Sequence, residues 1–407
     1  MIKNKDCVII IGGSQSHVPF IKAAKSLGFN TIVFDRDKNC QGAKFSDNFF
    51  EISTHDINHI FSKCCEINDL NNLKGVMTFS SFTEPLMAVA KICEKFNLPS
   101  FSSEAVKLTT NKLLMKSNLY NNGIPTPGWI ETDDINYAIN YVNITNEKLI
   151  IKPSSDSQGS KGVFLINQES DVHKYFDVAK EKSSDSSVIL EKYFFGREFS
   201  VDGIVVGRKP VILSVSEKFN LGSQFNFTMC GFSMGKIENE DEELHQAISL
   251  IKEIAINALK TLNILNSFFS LDIILTNYGP KVLECGVLLD CKIDRFLNFA
   301  GIDVYKEYVK LICGENINIE PQEYDNGFSL IFKYANQEGI FMGLEELDAL
   351  SASRTKIEWE RMNGDKVFKP KSVSDAICWV MVKDENSKLA LNKAYKLIDD
   401  MVLDISY

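Results

Sequence analysis

Two groups of residues in the middle of the chain have the types and spacing to bind a nucleoside triphosphate together with a metal ion. Lys152 ends an apolar segment and precedes the small polar residues 154–162, SSDSQGSKG, where positive charge and backbone amides suit a polyphosphate. Asp272 and Glu284 stand on neighbouring predicted strands, and magnesium prefers a few carboxylates together with phosphate oxygens and water. Each feature alone also has a structural interpretation: a solvated lysine, a mobile loop or an ion-paired acid.

The first 110 residues alternate apolar strands with helical patterns. The predicted elements are strand 7–11, a turn at Gly12-Gly13-Ser14, helix 18–27, strand 31–34, strand 75–79, helix 84–96 and strand 98–101. Strands that alternate with helices at this spacing favour a doubly wound parallel sheet. The chain therefore begins with a predicted α/β domain that ends near residue 110.

The glycine turn after the first strand has a second interpretation, as a dinucleotide-binding loop with Asp35 as the acid on the ribose. The G-x-G-x-x-G fingerprint is absent, because His17, Val18 and Pro19 stand where its third glycine would be. A bare two-glycine turn is more often structural, so the sequence favours a turn over an NAD or FAD site.

Beyond residue 110 the pattern changes to short strands and long polar loops. The predicted elements are helix 112–122, strands 148–153 and 163–166 around a polar hairpin tip, strands 188–191 and 198–206, helix 242–262, and the antiparallel strands 268–275 and 281–284. From about residue 325 the predictions are strands 328–334 and 379–382 and an amphipathic helix at 387–401.

The composition limits the partners. The 407 residues carry 44 Lys+Arg against 54 Asp+Glu, a net charge of -10, which argues against a nucleic-acid partner. Neither an apolar stretch of about 18 residues nor a secretory signal is present, so we expect no membrane partner and a place in the cytoplasm. The 10 cysteines are scattered and form no C-x-x-C pair, which favours ordinary thiols over a disulfide framework or a metal site.

Taken in order, these motifs resemble those of the ATP-grasp superfamily, in particular its carboxylate-amine ligase branch, which includes L-amino-acid ligases and is related to biotin-carboxylase-like enzymes. Lys112, in TTNKLLMKSNLYNNGIPTPGW, matches the first ATP lysine of the family, and Lys152, in LIIKPSSDSQGSKGV, matches the second. The mobile flap over the phosphates would be formed by Ser157, Gly159, Ser160, Lys161 and Gly162.

The resemblance continues through the next two segments. In VILEKYFFGREFSVDG it implies an adenine-binding hinge at Glu191, Lys192, Tyr193 and Phe194, with Glu198 on the ribose hydroxyls. In FFSLDIIL and KVLECG it places Asp272 and Glu284 at the positions of the metal-binding acids. The implied domains are an N-terminal α/β domain (1–110), a small ATP-grasp subdomain with the glycine-rich flap (111–195), a large subdomain with the metal acids (196–324) and a strand-rich C-terminal subdomain (325–407).

The activity implied by the resemblance is ATP- and Mg²⁺-dependent ligation. Transfer of the γ-phosphoryl group converts a carboxylate into an acyl phosphate, which an amine then attacks to give an amide, ADP and phosphate. The implied partners are small-molecule carboxylates and amines, and a homodimer is compatible with the family. Glu84 would help to bind the amine; alternatively it is a first-turn glutamate of a helix capped by Ser81 or Thr83.

The sequence departs from the family after the second metal acid. The family usually continues E-x-N-x-R, but Gly286 replaces the asparagine here and Leu288 replaces the arginine that faces the acyl phosphate. The nearest cations in sequence are Lys292 and Arg295, and we predict that one of them, with Arg295 favoured, supplies the missing charge. Asp290 is either a further metal ligand or a surface or capping residue.

Two further functions stay open at this level. A carboxylase-like ATP-grasp enzyme would activate bicarbonate; the chain has no A-M-K-M biotin-carrier motif, so a biotin-linked carboxylase would need a separate carrier chain. A nucleotide-binding regulator descended from a ligase would need no cation at the acyl phosphate. Leu288 in place of the motif arginine is compatible with this function.

Overall fold

The structure is a computed structural model that describes residues 5–155, 161–222, 227–237, 241–344 and 354–406. Within these ranges no helix combines the length and the apolar character needed to cross a membrane. All 10 cysteines lie in the same ranges and are free thiols. Packing and hydrogen bonds, without cross-links between these cysteines, therefore hold the described fold together.

A four-stranded parallel sheet opens the fold, as the alternation of strands and helices predicts. Its strands are β1 (Asp6–Ile11), β2 (Asn30–Asp35), β3 (Asn48–Glu51) and β4 (Asn72–Thr78), in the spatial order β3-β2-β1-β4. Four helices accompany them: α1 (Val18–Ser26), α2 (Gln41–Phe45), α3 (Ile57–Leu70) and α4 (Thr83–Phe96). Strand β1 lies inside the sheet and its residues 7–11 are fully buried, which accounts for their continuous apolar run.

The predicted strand at residues 98–101 is wrong. Helix α4 ends at Phe96. Its C-cap, Asn97, has a left-handed φ of 54° that turns the chain, and the Leu98 amide donates to the Cys93 carbonyl at 2.9 Å. Pro99 has no amide hydrogen for a sheet. Phe101 is only 2% exposed and packs into the core. The segment is therefore apolar because it is a buried loop.

Residues 102–192 form a second, smaller layer of helices and antiparallel strands. The helices are α5 (Ser103–Thr110), α6 (Lys112–Asn121), α7 (Ile135–Thr145) and α8 (Glu169–Lys180). The strands are β5 (Trp129–Thr132), β6 (Leu149–Pro153), β7 (Phe164–Ile166) and β8 (Val188–Lys192), in the order β5-β8-β6-β7. Strands β6 and β7 are antiparallel neighbours, which confirms the predicted hairpin.

An eight-stranded antiparallel sheet forms the centre of the molecule, in the order β13-β12-β9-β10-β11-β14-β18-β16. Its strands are β9 (Arg197–Val206), β10 (Lys209–Asn220), β11 (Met229–Gly235), β12 (Ser267–Thr276), β13 (Gly279–Gly286), β14 (Gly327–Lys333), β16 (Thr355–Trp359) and β18 (Cys378–Asp384). A smaller sheet, β17-β15-β19, is built from β15 (Gly339–Leu344), β17 (Lys366–Val367) and β19 (Leu403–Ser406). The predicted C-terminal strands thus extend the sheet that carries the two acids.

The remaining helices are α9 (Glu242–Thr261), α10 (Ile293–Phe299), α11 (Val304–Ile312) and α12 (Ser387–Asp400). Along β9 the side chains alternate: Phe199 and Val201 join a hydrophobic cluster that contains Ile251 of α9. Glu198 and Ser200, between and beside them, project to the opposite face. The central sheet therefore has one apolar face under α9 and one face that carries polar groups.

Candidate active site

Lys112 and Lys116 of helix α6 and Lys152 of strand β6 lie in the same region of the molecule. Asn111 caps helix α6 by accepting the Leu114 amide at 2.9 Å, and the Lys112 amide donates to the Ser154 carbonyl at 2.8 Å. These contacts fix the start of α6 against the end of β6, which carries Lys152. The sequence-predicted lysines, forty residues apart in the chain, are thereby brought to one region.

Glu191 lies buried between two ammonium groups. Lys152 Nζ is 2.7 Å from Glu191 Oε1, and Lys116 Nζ is 2.8 Å from Oε2. Burial alone would raise the pKa of Glu191, but Lys116 and Lys152 outweigh it and lower the pKa to about 2. Burial lowers the pKa of Lys116 to about 8 against the opposing effect of Glu191. The carboxylate of Glu191 thus orients the lysines, a contact that the predicted hinge role did not include.

Lys112 forms an ion pair with the second predicted metal acid. Its Nζ lies 2.9 Å from Glu284 Oε1, and Lys112 is only 7% exposed. Burial tends to raise the pKa of Glu284, but Lys112 and Lys152 outweigh this effect and lower it. A residue predicted to hold phosphate and a residue predicted to hold metal are therefore direct neighbours.

The register of the central sheet places the two predicted metal acids side by side. Asp272 on β12 is directly opposite Glu284 on β13, and Ser200 on β9 is opposite Asp272. Directly opposed residues project from the same face of a sheet. Burial raises the pKa of Asp272 to about 7; a neighbouring lysine, Lys218, opposes this rise and Asp290 adds to it.

Lys218 of β10 joins Asp272 to the loop that follows Glu284. Its Nζ lies 2.7 Å from Asp272 Oδ2 and 2.9 Å from Asp290 Oδ2. Burial would lower the pKa of Lys218, but the two carboxylates raise it well above its usual value. The sequence analysis missed this lysine.

Asp290 is a partner of Lys218, which its predicted roles did not include. Its Oδ1 accepts the Cys291 amide at 2.7 Å, and its own amide donates to Asp202 Oδ1 at 3.5 Å. Asp202 is fully buried and also accepts a hydrogen bond from Ser200 Oγ at 2.7 Å. This chain of contacts holds the residues after Glu284 against the polar face of the sheet.

The two positions that depart from the family motif differ in their surroundings. A Cβ added at Gly286 would come no closer than 3.9 Å to its nearest neighbour, the Leu288 carbonyl oxygen. Leu288 itself is 7% exposed and belongs to the hydrophobic core cluster that includes Val287. Position 286 has space for a side chain, whereas a charge at position 288 would enter the core.

Part of the predicted adenine hinge lines a cavity of about 220 Å³. Tyr193, Phe194 and Glu198 lie in its wall, together with Phe227 and Ile274. Burial raises the pKa of Glu198, and Lys218 opposes this rise. The cavity therefore offers aromatic rings for a base and a carboxyl group for hydroxyls.

Lys192, another predicted hinge residue, ends strand β8 and has a partly exposed side chain. It pairs with Glu147, and its Nζ lies 5.7 Å from the centre of the Phe194 ring. The Lys192 amide donates to the Gly128 carbonyl at 2.9 Å. Its predicted contact with the base stays a prediction.

The predicted flap is described only at its far end. Ser157, Gly159 and Ser160 lie outside the described residues, whereas Lys161 is exposed and Gly162 has a φ of 79°. A Cβ at Gly162 would lie 3.0 Å from Pro153 Cγ, which explains the glycine.

At the base of this loop, hydroxyl groups surround Asp185, a cluster that the sequence analysis missed. The Asp185 carboxylate accepts hydrogen bonds from Ser154, Ser183 and Ser187. Burial alone would raise the pKa of Asp185, but the serine hydrogen bonds lower it. The segment that leads into the flap is thereby tied to the loop before β8.

Lys292 and Arg295, the predicted replacement cations, contact acids in strand β16 or directly after it. Lys292 pairs with Glu360 and its Nζ lies 4.3 Å from the centre of the Trp379 ring. Arg295 lies 3.5 Å from Glu358 and 3.5 Å from Asp294. These contacts direct both cations toward the C-terminal part of the sheet, and their predicted catalytic role stays a prediction.

Glu84, the predicted amine-binding residue, lies in the first turn of α4, and its Oε2 is 3.2 Å from His55 Nδ1. The N-cap of α4 is Phe82, and neither Ser81 nor Thr83 occupies that position. Glu84 thus has the first-turn position of the structural alternative, although the predicted cap is wrong. No contact of Glu84 with the lysines and acids described above is found within the described residues.

The glycine turn after β1 is filled by His17. A Cβ at Gly12 would lie 2.4 Å from His17 Nε2, and that nitrogen accepts the Phe79 amide at 3.1 Å. Asp35, the alternative ribose acid, accepts the Gly13 amide at 2.8 Å. These contacts favour a structural turn over a dinucleotide site.

Comparison with known proteins agrees with this architecture. Residues 109–286 match the family model described as the ATP-grasp domain. A curated relative, phosphoribosylamine–glycine ligase of Helicobacter pylori, is 27% identical over 139 residues, 33% of this chain and 31% of the relative. The match thus spans about a third of the length of that relative.

Two solved structures share the fold over nearly their whole length. The L-amino acid ligase of Bacillus licheniformis has a TM-score of 0.80 at 16% identity and covers 100% of both chains. The biotin carboxylase domain of the Hydrogenobacter thermophilus 2-oxoglutarate carboxylase, in complex with MgADP, ADP and bicarbonate, has a TM-score of 0.74 at 13% identity and covers 100% of this chain and 92% of that chain.

Residues 109–286 form an ATP-grasp domain, and the chain shares the fold of the L-amino acid ligase over its whole length. The predicted resemblance to the ATP-grasp superfamily and the predicted α/β fold class are confirmed. Among the residues that the structure describes, no three histidine, cysteine, aspartate or glutamate side chains cluster in the manner of a protein-only metal site. A metal held by Asp272 and Glu284 would need oxygen atoms of the nucleotide, and this donor set fits magnesium.

Proposed function

We propose that this protein is an ATP- and magnesium-dependent ligase that joins a carboxylate to an amine through an acyl phosphate, with release of ADP and phosphate. The observation that carries the proposal is the contact between Lys112 and Glu284, with Asp272 opposite Glu284 on the next strand. Lysines for phosphate and carboxylates for metal are therefore within direct reach of one another. The fold shared with ligases and a carboxylase supports the same chemistry.

Each residue has a distinct task in this proposal. Tyr193 and Phe194 hold the base in the 220 Å³ cavity, where Glu198 accepts hydrogen bonds from the ribose. Lys112 and Lys152 bind phosphate oxygens, and Ser157, Gly159, Ser160, Lys161 and Gly162 cover them as a flap. Asp272 and Glu284 hold magnesium, which supplies neutralising charge for phosphoryl transfer.

The step after phosphoryl transfer needs a cation near the developing oxyanion. Leu288 cannot supply it, and Lys218 is the cation in direct contact with Asp272 at 2.7 Å. We therefore favour Lys218 as the replacement for the motif arginine. Arg295 and Lys292 are the competing candidates, and substitution of each residue separates the alternatives.

The experiment that tests the proposal measures ADP release from ATP and magnesium with a panel of carboxylates and amines. Release that needs both a carboxylate and an amine, with formation of an amide, supports ligation. Release that needs bicarbonate without an amine would instead indicate a carboxylase-like enzyme. Nucleotide binding without release in any combination would indicate the regulator.

The cellular compartment and the oligomeric state are further parts of the proposal. Free thiols at all 10 cysteines suit a reducing compartment, so we retain the cytoplasm as the site of action. Neighbours of this fold include a dimeric biotin carboxylase domain, and a homodimer of this chain is the assembly to test by light scattering.

A further inference from the structure

Two lysines of the proposed site, Lys112 and Lys218, form ion pairs with the two metal acids. Lys112 lies 2.9 Å from Glu284, and Lys218 lies 2.7 Å from Asp272. Both lysine side chains are largely buried, with exposed fractions of 8% and 15%. Each acid that would hold magnesium therefore already has an ammonium group as its counter-ion.

These ion pairs make it unfavourable for the nucleotide or the metal to bind alone. A polyphosphate that takes Lys112 away from Glu284 leaves a carboxylate without its partner in a partly desolvated site. A divalent cation that takes Glu284 and Asp272 leaves two ammonium groups beside it. When both ligands bind, each lysine exchanges a carboxylate for a phosphate oxygen, and each carboxylate exchanges an ammonium group for the metal.

We propose that Lys112 and Lys218 occupy the magnesium acids until metal and nucleotide bind together, so that binding is an exchange of ion partners. The metal takes Glu284 and Asp272, and the released ammonium groups take phosphate oxygens. Asp290, 2.9 Å from Lys218, retains that lysine near the site during the exchange. The inference rests on the proposed nucleotide site and is independent of the acceptor and of amide formation.

Thermodynamic reciprocity gives the inference a measurable form. If the exchange couples the two ligands, the nucleotide raises the affinity for metal by the same factor by which metal raises the affinity for nucleotide. Removal of an occupying lysine should strengthen the binding of metal alone, because the acids then have no internal counter-ion to lose. The same substitution should weaken the coupling, because the nucleotide no longer finds the released ammonium group.

The test uses Mn²⁺ as the probe, counted by loss of the free-ion electron paramagnetic resonance signal, with the full-length protein free of nucleotide. We expect Lys218→Met and Lys112→Met to bind Mn²⁺ at least about tenfold more tightly than the unmodified protein, within the usual range of coupling between sites. Lys116→Met is the matched control, because it removes a buried ammonium group whose partner is Glu191. It measures the general effect of losing positive charge, which we expect to be less than about threefold.

Two further measurements keep the outcome decisive. Lys218→Arg retains the charge and should bind Mn²⁺ as weakly as the unmodified protein. If the methionine variants do not fold, as judged by circular dichroism, Lys218→Gln and Lys112→Gln, which keep a polar side chain, are measured in their place, with the same expected gain of at least about tenfold.

A gain in Mn²⁺ affinity in Lys218→Met, or in Lys218→Gln where it replaces that variant, that is no larger than in Lys116→Met overturns the inference, provided that a non-hydrolysable ATP analogue still binds with metal. Failure of the analogue to bind at saturating Mn²⁺ is a different result. It would overturn the proposed function itself.

Discussion

The ammonium group of Lys218 lies 2.7 Å from Asp272 Oδ2, so a cation of strand β10 contacts an acid predicted to hold magnesium. The same ammonium group lies 2.9 Å from Asp290, in the segment where the family motif is changed. Strand β10 thus supplies a positive charge both to Asp272 and to the segment that follows Glu284.

Lys218→Met should lower the turnover of amide formation by about 10²-fold or more, because it removes the cation that contacts Asp272 and that replaces the motif arginine in the proposed function. Single-turnover measurements that follow ADP and amide separately are the check. Arg295→Met and Lys292→Met are the comparison variants, since these side chains pair with Glu358 of β16 and with Glu360 directly after it. A loss in either of these variants as large as in Lys218→Met would instead support the replacement cation predicted from sequence.

Glu284→Gln should abolish turnover while the protein still binds ATP more weakly. The amide keeps the shape of the side chain but cannot hold magnesium as a carboxylate does, and it breaks the ion pair between Glu284 and Lys112. Steady-state ADP release and an equilibrium titration with nucleotide are the two measurements. Full activity in this variant would mean that the acid is structural.

Restoring the family residues at positions 286 and 288 should have different effects on the free energy of unfolding. Gly286→Asn should change the free energy of unfolding by less than about 1 kcal/mol, because a Cβ there has no neighbour closer than 3.9 Å. Leu288→Arg should lower it by at least about 3 kcal/mol, because a charge would be buried in the core cluster. Urea unfolding of both variants is the measurement, and a stable Leu288→Arg protein would contradict this account of position 288.

Acid should destabilise the N-terminal sheet through His17. Burial lowers the His17 pKa to about 4, whereas the unfolded chain has a value of about 6.5. The unfolded chain therefore binds more protons between these values, and stability that is present above pH 6.5 is lost as the pH falls toward 4. Linkage gives a loss of about 2 kcal/mol between pH 7 and pH 5.

His17→Gln should remove most of this pH dependence, since glutamine does not titrate and its oxygen can accept the Phe79 amide. His59→Gln is the matched control, because that ring is exposed on helix α3. Denaturant unfolding at pH 5 and pH 7 compares the three proteins. An unchanged pH dependence in His17→Gln would show that other groups cause it.

The sequence predicted the parts of the site whose signals are local. Lys152 ends a strand beside a polar loop, and Asp272 and Glu284 interrupt apolar strands, so each could be recognised without knowledge of the fold. The family resemblance then supplied their order. The structure shows Asp272 and Glu284 to be direct neighbours, in agreement with the predicted antiparallel strands.

Lys218 and Lys116 escaped prediction because their importance depends on pairing between distant segments. Lys218 meets Asp272 only when β10 lies against β9 and β9 against β12, a register that no local pattern specifies. A weak signal existed: Ser214 and Ser216, four and two residues before Lys218, alternate with apolar Leu213 and Val215, which is typical of a strand with one polar face. Lys116 lies one helical turn after Lys112, on the same face of α6.

The central claim, that Lys112 and Lys152 belong to a site for ATP, is tested most directly by calorimetric titration with a non-hydrolysable ATP analogue in the presence of magnesium. We expect the unmodified protein to bind one analogue and Lys112→Ala and Lys152→Ala to bind it about ten- to a hundredfold more weakly, the usual effect of losing one hydrogen bond to a charged group. Both variants should remain folded, because Lys116 continues to neutralise Glu191 in Lys152→Ala. Unchanged affinity in both variants, or no binding by the unmodified protein, would contradict the account.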